Sequence, residues 1–193
     1  MSGRDDSHDW LGDPRIADLA KALHQGAVIA YPTEAVWGLG CDPYNEAAVT
    51  RLLAMKNRAR DKGLILAGGS IDHALSLTAT LSEAQNQQLA ETWPGPNTWL
   101  IPDERITPEW IRGEHKAVAV RVSAHPLVEA LCKAFGGLVV STSANPQGLP
   151  PAENAEQVIA YFADQVDAIS PGAIGSENKP SSIRDLVTGA RIR

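Results

Sequence analysis

The chain is poor in cysteine, in aromatics and in long apolar runs. Its two cysteines, Cys41 and Cys132, lie far apart and form no C-x-x-C pair, so neither a disulfide scaffold nor a zinc site is expected. Aromatic residues make up 5% of the 193, too few for the stacking platforms of a single-strand nucleic-acid binder. No apolar run approaches the ~20 residues of a membrane span. The first ten residues, MSGRDDSHDW, lack the apolar centre of a signal peptide. The expectation is a cytoplasmic protein with no membrane partner. G-x-x-x-x-G-K-[ST], H-E-x-x-H and G-x-S-x-G are all missing. Gly38 and Gly40 begin a G-x-G, but Pro43 stands where the third glycine of a dinucleotide fingerprint would fall. The five histidines (His8, His24, His73, His115, His125) show no ligand spacing, so no metal site built from side chains is expected.

What remains is a globular composition, 44% hydrophobic and 21% charged, at a length suited to one domain. A net charge of −6 argues against a general nucleic-acid coat. The charge is uneven, however. Arg51, Lys56, Arg58, Arg60 and Lys62 cluster around a single acid, Asp61. An anionic ligand and a solvated helix end explain that cluster equally well.

Residues 1–12 read as a disordered or frayed tail and residues 13–193 as one domain. Asp13 can cap a helix that starts with Pro14 and leaves at Gly26, with Ile16, Leu19, Ala20 and Leu23 on one face. Residues 27–31 (AVIAY) read as a buried strand ending at Pro32, followed by a loop, PTEAVWGLGCDPYN. Asn45 can cap a second helix carrying Val49, Leu52 and Leu53. LILA (64–67), TWLIP (98–102), AVAVRV (117–122) and LVVSTS (138–143) read as strands. Ser70 and Ser82 can cap two short helices, the second with a capping box through Gln85. Further helices are expected at 126–135 and 153–162, and two short strands around Thr188-Gly189. Interleaved helices and strands make the class α/β. Several connections are too short for a helical crossover, so the sheet should mix parallel and antiparallel strands.

Five polar segments stand out. Thr33 and Glu34 follow a strand end, where open α/β sheets bind ligands, although position alone favours an ordinary turn. Lys56 and Arg58 pair a point charge with a planar fork and suit phosphate oxygens; they converge only if the helix ends there. Arg121 closes an apolar strand and needs a partner, either a substrate carboxylate or an acid such as Asp185. Ser141, Thr142, Ser143 and Asn145 emerge from a core strand and can bond an anion through side chains and backbone. Ser181 and Ser182 precede an alternating strand, and Arg191 and Arg193 follow it.

In this order, YPTEAVWGLGCDP, LLAMKNRARDKGLIL, WPGPNT, AVRVSAHPLVEALC, STSANPQGLPP and PSSIRDLVTG cover about residues 14–193. Together they resemble the YrdC-type threonylcarbamoyl-adenylate synthases in their short, single-domain bacterial form. The resemblance implies a YrdC-like catalytic domain over 13–193, with a twisted mixed sheet, flanking helices and a deep positively charged groove. It implies condensation of L-threonine, bicarbonate and ATP into threonylcarbamoyl-AMP with loss of pyrophosphate. Downstream proteins then transfer the threonylcarbamoyl group to the adenosine beside the anticodon of tRNAs reading codons that start with A; weak tRNA binding is a further expectation. The family's K-x-R…S-x-N signature falls on Lys56, Arg58, Ser143 and Asn145 as catalytic residues. ATP would draw on Arg58, Lys62, Ser143, Asn145 and Arg193, and threonine on Thr33, Arg121, Ser141 and Ser181. Mg²⁺ would arrive through the ATP phosphates. The chain departs from the family at Ala59, where proline is usual, and at Trp37, where tyrosine or phenylalanine is common. The rival expectation is a non-enzymatic RNA-binding module that uses the same basic cleft.

Overall fold

A computed structural model describes residues 8–177, 179 and 181–193. Residues 1–7 of the expected tail, and Pro180 of the PSSIRD segment, lie outside the described residues. From Trp10 to Gly12 the chain makes a 3₁₀ turn capped by Asp9. The Trp10 side chain packs on a hydrophobic cluster within the stretch expected as a tail. Helix α1 (Pro14–His24) begins as its sequence dictates, with the Asp13 carboxylate accepting from the Arg15 N–H at 2.9 Å and Pro14 in the first turn. The chain continues through β1 (Ile29–Pro32), β2 (Trp37–Gly40), α2 (Glu46–Met55), β3 (Ile65–Gly68), α3 (Leu75–Thr78), α4 (Glu83–Thr92), β4 (Asn97–Pro102) and α5 (Glu109–Arg112). It then forms β5 (Ala117–Val122), α6 (Pro126–Phe135), β6 (Val139–Ser143), α7 (Ala155–Phe162), β7 (Ala168–Ile169) and β8 (Ser182–Asp185).

The strands form one sheet in the order β7-β1-β2-β6-β3-β5-β4-β8. β1–β7, β3–β5 and β4–β8 run parallel and the other neighbours antiparallel, which is the mixed sheet expected. One central strand was not expected. β2 lies in the segment read as a loop, because two of its four residues are glycines and glycine weakens a strand. Here glycine is needed for close approach. A Cβ on Gly40 would stand 2.5 Å from the Val140 carbonyl oxygen and 2.7 Å from Cε1 of Tyr31. The G-x-G pattern therefore serves sheet packing against a buried tyrosine.

Side-chain alternation divides the sheet between two tasks. Ala30, Leu39, Leu66, Trp99, Ile101, Val118, Val120 and Val140 join the larger core with Val49 and Leu52 of α2, Leu89 of α4 and Phe162 of α7. On the opposite parity, Ile29, Tyr31, Ala67 and Val139 pack against Ile16, Leu19 and Leu23 of α1 and Leu127, Val128 and Leu131 of α6. Only part of that second face is covered by helices. Further along it, Ile65, Ala117, Ala119, Arg121 and Ser141 line a cavity.

Helix α2 ends at Met55, and Asn57 takes a left-handed φ of 50°, which turns the chain sharply before Arg58. Exposed Ala59 has φ −65° and ψ 140°, values a proline ring accepts, and among the described residues its N–H donates to nothing. Ala59→Pro is therefore expected to stabilise the fold by about 0.4–1 kcal/mol through the unfolded chain, read as a raised urea midpoint at unchanged m-value. Leu131 is fully buried between α6 and α1; Leu131→Ala should cost about 2–5 kcal/mol by the same measurement.

Candidate active site

The cavity has a volume of about 810 Å³, within the range of small-molecule sites. Its wall carries the polar residues Thr33, Glu34, Arg58, Lys62, Arg121, Ser141, Ser143 and Ser181. Leu64, Ile65, Leu100, Ile111, Ala117, Ala119 and Ile183 give it apolar surface as well. Among the described lining residues, Arg58, Lys62, Arg112, Lys116, Arg121, Lys179 and Arg193 are cationic, and Glu34, Glu177 and Asp185 acidic. Such a wall offers cations to an anionic group and apolar surface to a ring.

Each polar residue is held by its element. Thr33 follows β1; its N–H and its hydroxyl both donate to the Val36 carbonyl, at 3.0 and 2.7 Å. That fixes the hydroxyl and leaves its oxygen able to accept. Arg121 lies on β5 opposite Thr98 of β4 and Ala67 of β3. Its partner is Glu34, whose Oε2 lies 3.0 Å from the guanidinium Nη2. Asp185, suggested by the sequence as the acidic alternative, instead accepts from the N–H groups of Val187 and Thr188 and from the Thr188 hydroxyl, closing a turn. Short-range turn chemistry claims that carboxylate. The Ser181 hydroxyl shares a hydrogen bond of 2.8 Å with Thr98 Oγ1, and the Ser181 carbonyl accepts from Arg193 Nη2 at 3.1 Å.

The cationic pair separates into two environments. Lys56 is buried and does not line the cavity. Its ammonium donates to the carbonyl oxygens of Ser143 and Asn145, the latter at 2.8 Å, and to Asn145 Oδ1 at 3.4 Å. All three of its protons therefore have acceptors. Burial, reinforced by the Arg58 charge, lowers its pKa to about 8. The Asn145 amide in turn donates to the Leu149 carbonyl at 2.7 Å. Lys56 and Asn145 thus form the backing of the wall, and Ser143 its face. Arg58 faces inward: Nη2 donates to the Gly63 carbonyl at 2.9 Å, while its buried Nε has no acceptor. Burial lowers its pKa, and nearby Asp61 acts the other way. Lys62, exposed at the end of a 3₁₀ turn, lines the same cavity.

Of the residues expected to act, Thr33, Arg58, Lys62, Arg121, Ser141, Ser143, Ser181 and Arg193 share the cavity, and Lys56 and Asn145 stand behind it. The sequence did not single out the apolar wall. Its signal was present in AVAVRV: Ala117, Ala119 and Arg121 share a parity, and small residues on a strand leave room above it. Glu34 was noted only as a charge beside Thr33; its pairing with a residue 87 positions later carries no local signal.

Residues 21–193 match the family model Sua5_yciO_yrdC, described as telomere recombination. The chain is 50% identical over 185 residues to the threonylcarbamoyl-AMP synthase of Cellvibrio japonicus, covering 96% of this chain and 98% of that protein. It is 55% identical over 174 residues to the enzyme of the same name from Pseudomonas aeruginosa strain UCBPP-PA14, covering 90% and 94% of the two chains. Among solved structures, P. abyssi Sua5 complexed with L-threonine superposes with a TM-score of 0.86 at 29% identity over 97% of this chain; the match spans 54% of Sua5, about half its length. E. coli YciO, at 23% identity and a TM-score of 0.82 over 93% of this chain and 88% of that one, shares the fold. With a family match over residues 21–193 and relatives at half identity or more over at least 90% of each chain, the chain belongs to the Sua5/YciO/YrdC family.

Proposed function

We propose that the chain is a threonylcarbamoyl-AMP synthase, a nucleotidyltransferase that condenses L-threonine, bicarbonate and ATP into L-threonylcarbamoyladenylate and releases pyrophosphate. One observation carries the reading. A single cavity is lined by the hydroxyls and cations of Thr33, Arg58, Lys62, Arg121, Ser141, Ser143, Ser181 and Arg193 together with the apolar side chains of Leu64, Ile65, Leu100, Ile111 and Ile183. The relatives' names favour an enzyme over a binding module. The adenylate would serve partner proteins that modify the adenosine next to the anticodon in tRNAs reading codons that start with A.

In this scheme Arg121 binds the threonine carboxylate by charge-assisted hydrogen bonds, and Thr33, Ser141 and Ser181 orient the amino acid. The threonine amine and bicarbonate give a carbamate with loss of water. A carbamate oxygen then attacks the α-phosphorus, and the bond to the pyrophosphate oxygen breaks. Arg58, Lys62 and Arg193 offset the charge on the phosphates, and Ser143 bonds a phosphate oxygen. Lys56 and Asn145 act through Ser143 by fixing the strand end that carries it. The nucleoside lies on the apolar wall. Catalysis here is positioning plus preorganised charge. Mg²⁺ would enter with ATP. Among the described residues no three His, Cys, Asp or Glu side chains group as a metal site, and an ion held by phosphate oxygens and water suits magnesium. Bound there, it would offset charge on the pyrophosphate.

The deciding experiment incubates the protein with ATP·Mg²⁺, bicarbonate and threonine and searches for the mixed anhydride by mass spectrometry. Pyrophosphate release should require both threonine and bicarbonate; equal release without amino acid would refute the assignment. Arg58→Ala should lower kcat by about 10²–10³, the usual loss for one preorganised charge donor; a variant within threefold of the parent would remove Arg58 from the mechanism. The Lys56 ammonium, with its pKa near 8, keeps two donors for three acceptors once it deprotonates. We therefore expect kcat at saturating substrates to fall as pH rises through about 8, and a flat profile to about pH 9 would show that the Lys56 charge is dispensable.

A further inference from the structure

We propose that Glu34 is a positioning residue for the amino-acid substrate: it grips one edge of the Arg121 guanidinium so that the opposite donors face the substrate carboxylate. This rests on reading Arg121 as the carboxylate clamp and names what sets that clamp. Both side chains are about nine-tenths buried and both line the cavity. Arg121 makes no hydrogen bond to a described residue: its contact with Glu34 is an ion pair outside hydrogen-bond geometry, and both Glu34 Oε2 and Arg121 Nε are buried without a hydrogen-bond partner. A long side chain at a strand end would sample many rotamers; one carboxylate on Nη2 selects a single one and leaves the other edge of the fork free.

Glu34 is itself anchored tightly enough to serve. Its Oε1 accepts from the Ser123 hydroxyl at 2.7 Å and from the Ala124 N–H at 3.0 Å, two and three residues beyond Arg121. The backbone beneath it is pinned as well: the Thr33 carbonyl accepts from the Gly175 N–H at 2.9 Å, and the Glu34 carbonyl from the Glu177 N–H at 3.1 Å. Glu34 therefore locks the exit of β1 to the exit of β5, and Arg121 takes its direction from that lock. Burial alone would raise the Glu34 pKa, but the Arg121 charge, the Ser123 hydroxyl and the backbone donors together hold it below the usual carboxylate value. The side chain is an anion across the neutral range, so the pair meets its ligand nearly neutral. The arriving carboxylate then adds the one net charge the pocket must accommodate.

Glu34→Gln keeps the shape and the acceptor oxygen for Ser123 and Ala124 while removing the negative charge beside Arg121. The expected result is a rise of about tenfold in the KM for threonine, with the KM for ATP and kcat at saturating threonine within about threefold of the parent. In an Arg121→Ala background the same substitution should add less than about twofold to the threonine KM, since the two act as one unit. A threonine KM within twofold of the parent in Glu34→Gln, an equal rise in both KM values, or additive effects in the double variant would overturn the proposal. If Arg121→Ala alone leaves the threonine KM unchanged, the clamp reading itself fails. If Arg121→Ala raises it and Glu34→Gln does not, only the role of Glu34 falls. Should Glu34→Gln not fold, Ser123→Ala removes one anchor of the carboxylate and should raise the threonine KM alone, by about two- to threefold; an unchanged value overturns the proposal equally.

Discussion

A lysine ammonium sunk in the protein holds one wall of the cavity together. Lys56 caps the last turn of α2, and its donors go to the carbonyls of Ser143 and Asn145 and to the Asn145 side chain. An ammonium in that position is tolerable because every proton has an oxygen; removing it would leave several acceptors unmet in a dry place. The contact joins stretches of chain nearly 90 residues apart and fixes where Ser143 stands relative to Arg58. The spatial relation between the two halves of the K-x-R…S-x-N signature is therefore structural before it is chemical.

The second constraint is the unequal cover of one sheet face. Helices α1 and α6 bury Ile29, Tyr31, Ala67 and Val139 on one half and leave Ile65, Ala119, Arg121 and Ser141 uncovered on the other. The same register that packs the core also aims the polar groups: Ser141 pairs with Ile65, Ile65 with Ala119, and Arg121 with Ala67. A site assembled from neighbouring strands is more rigid than one built on loops, and preorganised charge needs that rigidity.

Much of this was legible in the sequence because the signals were local. The Asp13-Pro14 start of α1, the Ser82–Gln85 capping box of α4, the Asn45 cap of α2 and the alternation of β5 all sit where their residues put them. Elements whose cause is distant were not legible. The strand β2 reads as a loop until Tyr31 and Val140 are in place to demand glycine, and β7 has only two residues, paired with β1. The inward turn of Lys56 depends on carbonyls far along the chain. The partner of Arg121 was open between a ligand and Asp185, and turned out to be an acid on a loop that only the folded sheet brings near.

Strand β5 also separates two kinds of selective pressure. Its even-numbered positions, Val118, Val120 and Val122, are fully enclosed in the core, whereas Ala117, Ala119 and Arg121 border the cavity. Drift at the even positions answers to packing alone. Drift at the odd positions answers to whatever molecule occupies the hollow, so a lineage can retune its guest along one side of a strand while the scaffold on the other side stands still.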